Sequence, residues 1–170
     1  MKFFILIVSS FCLIFYGNSN SKIDKNEKDN KVNIITLEVS APDILLALSD
    51  YNENELFRQA IKNAKKSNSN DFLDTFRKEF EKKDPNVKLA VFFQSNKNIK
   101  LSFDNKQVID VLKREIEKAI TNSFNVLVSR IDGLGTAKRE VGTSKILIKL
   151  HKDADPEYVR KILQGSAVSK

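Results

Sequence analysis

QVIDVLKREIEKAITNSFNVLVSRIDGLG, Gln107 to Gly135, is the stretch that decides how this chain folds. Val108, Val111, Leu112, Ile116, Ala119, Ile120, Phe124, Leu127, Val128, Ile131 and Leu134 recur in it at helical spacing. That spacing lines one face of a long helix with apolar side chains and commits the face to a core. Lys113, Arg114, Glu115, Glu117 and Lys118 fall elsewhere on the helix and suit water. The run closes on Arg130-Ile131-Asp132-Gly133-Leu134-Gly135, where glycine supplies the left-handed backbone that stops a helix.

After the helix, Arg139-Glu140-Val141 and Lys145 to Leu150 flank Gly142-Thr143-Ser144, which predicts a hairpin. Ile146, Ile148 and Leu150 share one face of its second strand, while Leu147 and Lys149 point the other way. Asp155-Pro156-Glu157 then opens a capped helix through Tyr158-Val159-Arg160-Lys161-Ile162-Leu163 to Ala167. Before the long helix, Ile34, Thr36 and Glu38 alternate with Ile35, Leu37 and Val39, the mark of a strand starting near Val32.

Residues 41–105 read as a separate, mainly helical lobe. Ser40 with Asp43, and Asn52 with Glu55, have capping-box spacing before apolar runs. Phe72, Leu73, Phe76 and Phe80 line a third helix, which Asp84-Pro85-Asn86 ends because proline disfavours helical geometry in the residue before it. Val87, Leu89, Val91 and Phe93 alternate, as do Ile99, Leu101 and Phe103, and predict a further hairpin around a polar turn from Gln94 to Asn98.

Several of these words resemble a known family. Ser123-Phe124-Asn125-Val126-Leu127, Arg130-Ile131-Asp132 with Gly135, and Pro156-Glu157 leading to Gly165-Ser166-Ala167 resemble the first periplasmic domain of SecD, an accessory subunit of the bacterial Sec translocon. Thr36 to Leu45 and Asp84 to Ala90 resemble its fused SecDF form. The resemblance implies an α+β fold: a ferredoxin-like base carrying an inserted head lobe after its first strand. The base is expected over 32–40 and 106–167 and the lobe over 41–105. It implies Arg130, Asp132, Gly135 and Gly165 as family-motif residues, and the Sec channel and unfolded preprotein as partners. Two departures stand out. The strand that ends the family's base is replaced by Val168-Ser169-Lys170, which leaves the expected base incomplete. The glycine pair and arginine that precede the family's first strand are absent from Lys28-Asp29-Asn30-Lys31-Val32.

Lys2 precedes an apolar run from Phe3 to Tyr16, with Gly17 and Ser19 at cleavage-site spacing, so residues 1–19 read as a signal peptide or an uncleaved membrane anchor. Residues 20–31 are almost free of apolar side chains and read as a flexible linker. The expected location is the periplasmic side of the cytoplasmic membrane, with secretion to the periplasm as the alternative. If the N-terminal segment is kept, it also makes membrane lipid a partner. Charged residues at 30% against 41% hydrophobic suit a water-exposed body, not a polytopic membrane protein.

The functional chemistry points away from catalysis. His151 is the one histidine and Cys12 the one cysteine, so neither a His/Cys metal set nor an intrachain disulfide has the residues it needs. Gly133-Leu134-Gly135 follows a helix and has Lys138 where a dinucleotide motif needs its third glycine. No cofactor and no enzymatic activity are expected. The formal charge of +7 comes from lysines interleaved with acids, without stacking aromatics, which argues against nucleic acid. A modest positive excess suits anionic lipid headgroups better. Among the lobe's phenylalanines, Phe92 is expected to turn outward beside an inward Phe93 and to offer apolar surface to emerging polypeptide.

Overall fold

A computed structural model describes residues 14–15, 33–67, 69, 71–140 and 143–163. The described elements run β1 (Ile14–Phe15), β2 (Ile34–Glu38), α1 (Ala41–Leu48), α2 (Glu55–Lys66), α3 (Phe72–Lys83), a 3-10 helix (Leu89–Phe92), α4 (Asn105–Arg130), β3 (Gly135–Arg139), β4 (Lys145–Leu150) and α5 (Pro156–Leu163). The class is α+β, as expected. The chain divides into two compact units, one of Met1–Ser40 with Ile120–Lys170 and one of Ala41–Ala119. The division falls inside α4, after Ala119, whereas the expected lobe ended at residue 105, where that helix begins.

In the first unit the strands form one antiparallel sheet in the order β1-β2-β4-β3. Alternation in the sequence sets its two faces, because successive side chains of a strand leave on opposite sides. Ile35, Leu37, Ile146, Ile148 and Leu150 are buried on one face. Leu127, Val159 and Leu163 of the helices, with Ile131 in the turn after α4, add to this unit's core. The register Ile35↔Ile148 and Leu37↔Ile146 puts large apolar residues directly across from one another. Cross-strand neighbours of this kind are the unit of sheet stabilisation. A ferredoxin-like base would place its last strand beside β2. In this structure that edge pairs with β1, through Ile14↔Glu38 and Phe15↔Leu37.

The expected hairpin at 139–150 forms, with its first strand beginning at Gly135. The helix before it ends at Arg130, and Gly133 takes the left-handed φ of 74° in the turn that follows. α5 starts as the Asp155-Pro156 word predicts, with the Asp155 carboxylate accepting the Glu157 amide at 3.0 Å.

The second unit holds α1 to α3, the 3-10 helix and residues 105–119 of α4. Asn54 caps α2 by accepting the Phe57 amide at 3.2 Å. The cap is thus Asn54 rather than the expected Asn52, whose side chain instead accepts the Asn54 amide at 2.9 Å. Asp71 caps α3 by accepting the Asp74 amide at 3.0 Å. Asp84, in extended geometry, ends α3 just before Pro85, as expected.

The hairpin expected over 87–103 is not formed. Leu89, Ala90, Phe92 and Phe93 are all buried, a one-three-four pattern that suits a tight helical turn and is incompatible with alternation. The 3-10 helix Leu89–Phe92 results, and turns follow it. In the second segment Ile99 is buried but Leu101 is 59% exposed, which again breaks the strand pattern.

Candidate functional site

The aromatic cluster of the helical unit is built around Phe57. Its ring stacks on Phe92 with centroids 5.2 Å apart and meets Phe76 and Phe93 edge-on at 5.5 and 5.7 Å. Phe80 adds an edge contact to Phe92 at 5.4 Å. Offset and edge-to-face rings place the positive ring edge against the negative face, so the cluster gains more than its buried area alone.

This geometry corrects the expectation for Phe92. Its ring is only 8% exposed and belongs to the core, because the 3-10 turn rotates it inward together with Phe93. The residue turned outward is Val91, 42% exposed. Leu101 and Tyr51, 56% exposed, are the other large hydrophobic side chains exposed in the helical unit among the described residues. Tyr51 and Asp50 both have φ of 54°, and the Arg58 guanidinium holds the loop by donating to the Tyr51 and Asn52 carbonyls at 2.9 and 2.7 Å.

Charged side chains organise the outside of the same unit. Asp74 pairs with Arg77 at 2.9 Å and Lys78 at 2.8 Å, and Arg77 also reaches Glu81 at 2.7 Å. The hydrogen bond from Lys78, then that from Arg77, lowers the Asp74 carboxyl to about 2. At Asp71 partial burial raises the pKa, but the Lys113 ammonium at 2.8 Å and the Asp74 amide outweigh it and hold the carboxyl below its usual value. Arg77 is correspondingly pushed up by Asp74, against burial, with Glu81 adding to the effect. These are structural ion pairs spaced three or four residues apart on α3, or joining α3's cap to α4. They place no acid and base around a shared cavity.

Three of the four residues expected as family-motif residues, Arg130, Asp132 and Gly135, lie at the end of α4 and in the turn and strand that follow it. Gly135 sits against β4 so closely that a Cβ there would stand 2.5 Å from the Lys149 carbonyl oxygen. The amide of Gly135 donates to the Ile131 carbonyl at 3.2 Å, which closes the helix end. Arg130 and Asp132 are exposed at this turn, and no ion pair joins them. Gly165 lies outside the described residues. His151 follows β4 on the surface, its amide donating to the Leu134 carbonyl at 2.9 Å. Among the described residues no three His, Cys, Asp or Glu side chains are placed to hold a metal ion. Also among the described residues, no helix is long and apolar enough to cross a membrane. The 1–19 segment lies outside the described residues apart from the strand pair Ile14–Phe15, as does the 20–31 linker.

The sheet face away from the core was only half legible in the sequence. Ile34, Thr36 and Glu38 of β2, Lys145, Leu147 and Lys149 of β4, and Thr136 and Lys138 of β3 share it through the pairs Thr36↔Leu147, Ile34↔Lys149 and Lys138↔Leu147. The alternation in β4 showed that Leu147 and Lys149 leave the core. Only the strand register shows that Lys138 and Ile34 join them.

The protein translocase subunit SecD of Rhodothermus marinus is 29% identical to this chain over 140 residues, 78% of this chain and 22% of that protein. The chain thus spans about a fifth of the length of the curated relative it matches. No protein-family model matches the chain. No solved structure matches it significantly. The similarity to SecD extends over more than three quarters of the chain and points the same way as the motif words, toward a SecD-related domain.

Proposed function

We propose that this chain is a non-enzymatic, extracytoplasmic SecD-like domain that assists protein export by contacting the Sec channel and the unfolded polypeptide leaving it. The observation that carries the reading is the 140-residue similarity to SecD. Its support in the fold is the β2-α4-β3-β4-α5 order, with the Arg130-Ile131-Asp132 word and Gly135 at the turn that joins helix to sheet. An extended, sequence-varied partner needs adaptable apolar surface and not a shaped pocket. In this reading exposed Val91 and Leu101 take the place first expected of Phe92.

The test uses the full chain in inverted membrane vesicles that hold a stalled preprotein. A photoreactive side chain at Val91 or Leu101 is expected to yield adducts with the preprotein that need active translocation. The same probe at exposed Glu53 supplies the background. Adducts no stronger at Val91 and Leu101 than at Glu53, together with release of the chain from the membrane, overturn the reading in favour of a freestanding secreted domain.

A further inference from the structure

The exposed face of the sheet carries three lysines around two apolar side chains. Lys138, Lys145 and Lys149 are exposed on β3 and β4, and between them Leu147 is 37% exposed and Ile34 58% exposed. Two acids flank Lys145 on this face. Half-buried Glu38, within reach of the Ser144 hydroxyl at 3.3 Å, lies directly across from it on β2. Exposed Glu140 follows β3 on its other side, its amide donating to the Lys145 carbonyl at 3.1 Å. Lys138 and Lys149 have no acid across from them, since their strand partners among the described residues are Leu147, Ile34 and Thr136, unlike Lys78 on α3, which Asp74 holds.

We propose that this face rests on the anionic surface of a lipid bilayer, with the lysines at the phosphate level and Leu147 and Ile34 against the glycerol and upper acyl region. Three features favour lipid over a protein partner. Lysine is depleted in protein–protein interfaces, whereas it is the side chain that stretches along apolar surface while its ammonium stays among headgroups. Two exposed apolar residues are too few for the buried centre of a stable protein interface. Finally, β1, hydrogen-bonded at the edge of this same sheet, is the end of the Phe3–Tyr16 run, the most apolar segment of the sequence. The inference goes beyond the export role and does not depend on it.

The experiment is flotation of the full-length protein with vesicles of pure phosphatidylcholine or of phosphatidylcholine containing phosphatidylglycerol. The N-terminal apolar run can bind either vesicle, so the quantity read is the excess affinity for the anionic one. That excess is expected to fall on the order of a hundredfold in the triple variant Lys138→Gln, Lys145→Gln, Lys149→Gln, roughly fivefold per lysine. It should persist when the three lysines become arginine, and shrink as salt is raised in the wild type. The matched variant Lys62→Gln, Lys65→Gln, Lys66→Gln removes the same charge from the helical unit. An equal loss in both triple variants makes the effect one of net charge and overturns the proposal, as does a wild type without anionic preference. Should the glutamine variant fail to fold, Glu38→Lys serves instead and is expected to raise the anionic excess. No rise there, or binding only to a proteinaceous membrane fraction, overturns the proposal in favour of a protein partner.

Discussion

Gly135 and Lys149 touch backbone to backbone: a Cβ on Gly135 would lie 2.5 Å from the Lys149 carbonyl oxygen and 3.1 Å from the Leu150 Cα. Neither atom is a side-chain tip that can swing aside, so any larger residue must push β3 off β4 where the strands pair Gly135↔Leu150. Gly135→Ala is therefore expected to destabilise the protein by about 2 kcal/mol, in the range of core overpacking. A urea melt should show a lower midpoint at unchanged slope. Gly133→Ala has open space around its Cβ and only the left-handed φ of 74° to resist it, so its cost is about 1 kcal/mol. Equal midpoints for Gly135→Ala and wild type would mean the close approach is not there.

Phe92→Ala is expected to behave as a core mutation. The ring stacks on Phe57 and meets Phe80 edge-on, and its removal should cost about 3 to 5 kcal/mol. Val91→Ala, on the neighbouring exposed residue, should stay within about 0.5 kcal/mol of wild type. Thermal unfolding of the two single variants distinguishes them. A Phe92→Ala protein as stable as wild type, with Val91→Ala the damaged one, would reverse the assignment of inside and outside at this turn.

The contrast between those neighbours shows where sequence reading stops. β2 and β4 were legible because each keeps a period of two, Ile35 and Leu37 inward in one and Ile146, Ile148 and Leu150 in the other, broken only by the apolar Ile34 and Leu147 on the outer face. Leu89-Ala90-Val91-Phe92-Phe93 is apolar throughout, so it carries no period of its own. Rings brought from α2 and α3 decide which of its side chains turn inward, and that choice is tertiary. Gly135 was legible as a helix stop, while its contact with Lys149 depends on a strand pairing that local spacing does not contain. At α2 the chain offers two asparagines, Asn52 and Asn54, and both bind backbone amides, so the cap shifts by two residues without any change in the composition of the loop.

Acid should separate Asp74→Asn from wild type in a defined window. The folded-state pKa of Asp74 is lowered from 3.8 to about 2 by its bonds to Lys78 and Arg77. A depressed carboxyl stabilises the fold fully above its unfolded value and loses that contribution as pH falls through the folded one. Asp74→Asn is thus expected to be the less stable protein above about pH 4, with the gap closing between 3.8 and about 2. Denaturation followed at several pH values reads this directly. A gap that stays constant down to pH 2 would show that the carboxylate charge is not what Arg77 and Lys78 recognise.

Asn105, in the first turn of α4, ties three elements of the helical unit together. Its side-chain oxygen accepts the Leu89 amide at 2.7 Å and its amide nitrogen donates to Glu81 at 3.2 Å. Leu89 is fully buried, so Asn105→Ala strands a backbone N–H away from water, at a cost of about 1 to 3 kcal/mol. Amide hydrogen exchange at Leu89 should accelerate by more than the global loss of stability accounts for. Asn105→Asp keeps the acceptor for Leu89 but sets a second carboxylate against Glu81, already bonded to Arg77. That variant is expected to lose most stability near neutral pH and to recover part of it relative to wild type as the added carboxyl protonates. If Asn105→Ala and Asn105→Asp are equally unstable at every pH, and exchange at Leu89 tracks only global unfolding, the side chain fills space there and holds no amide.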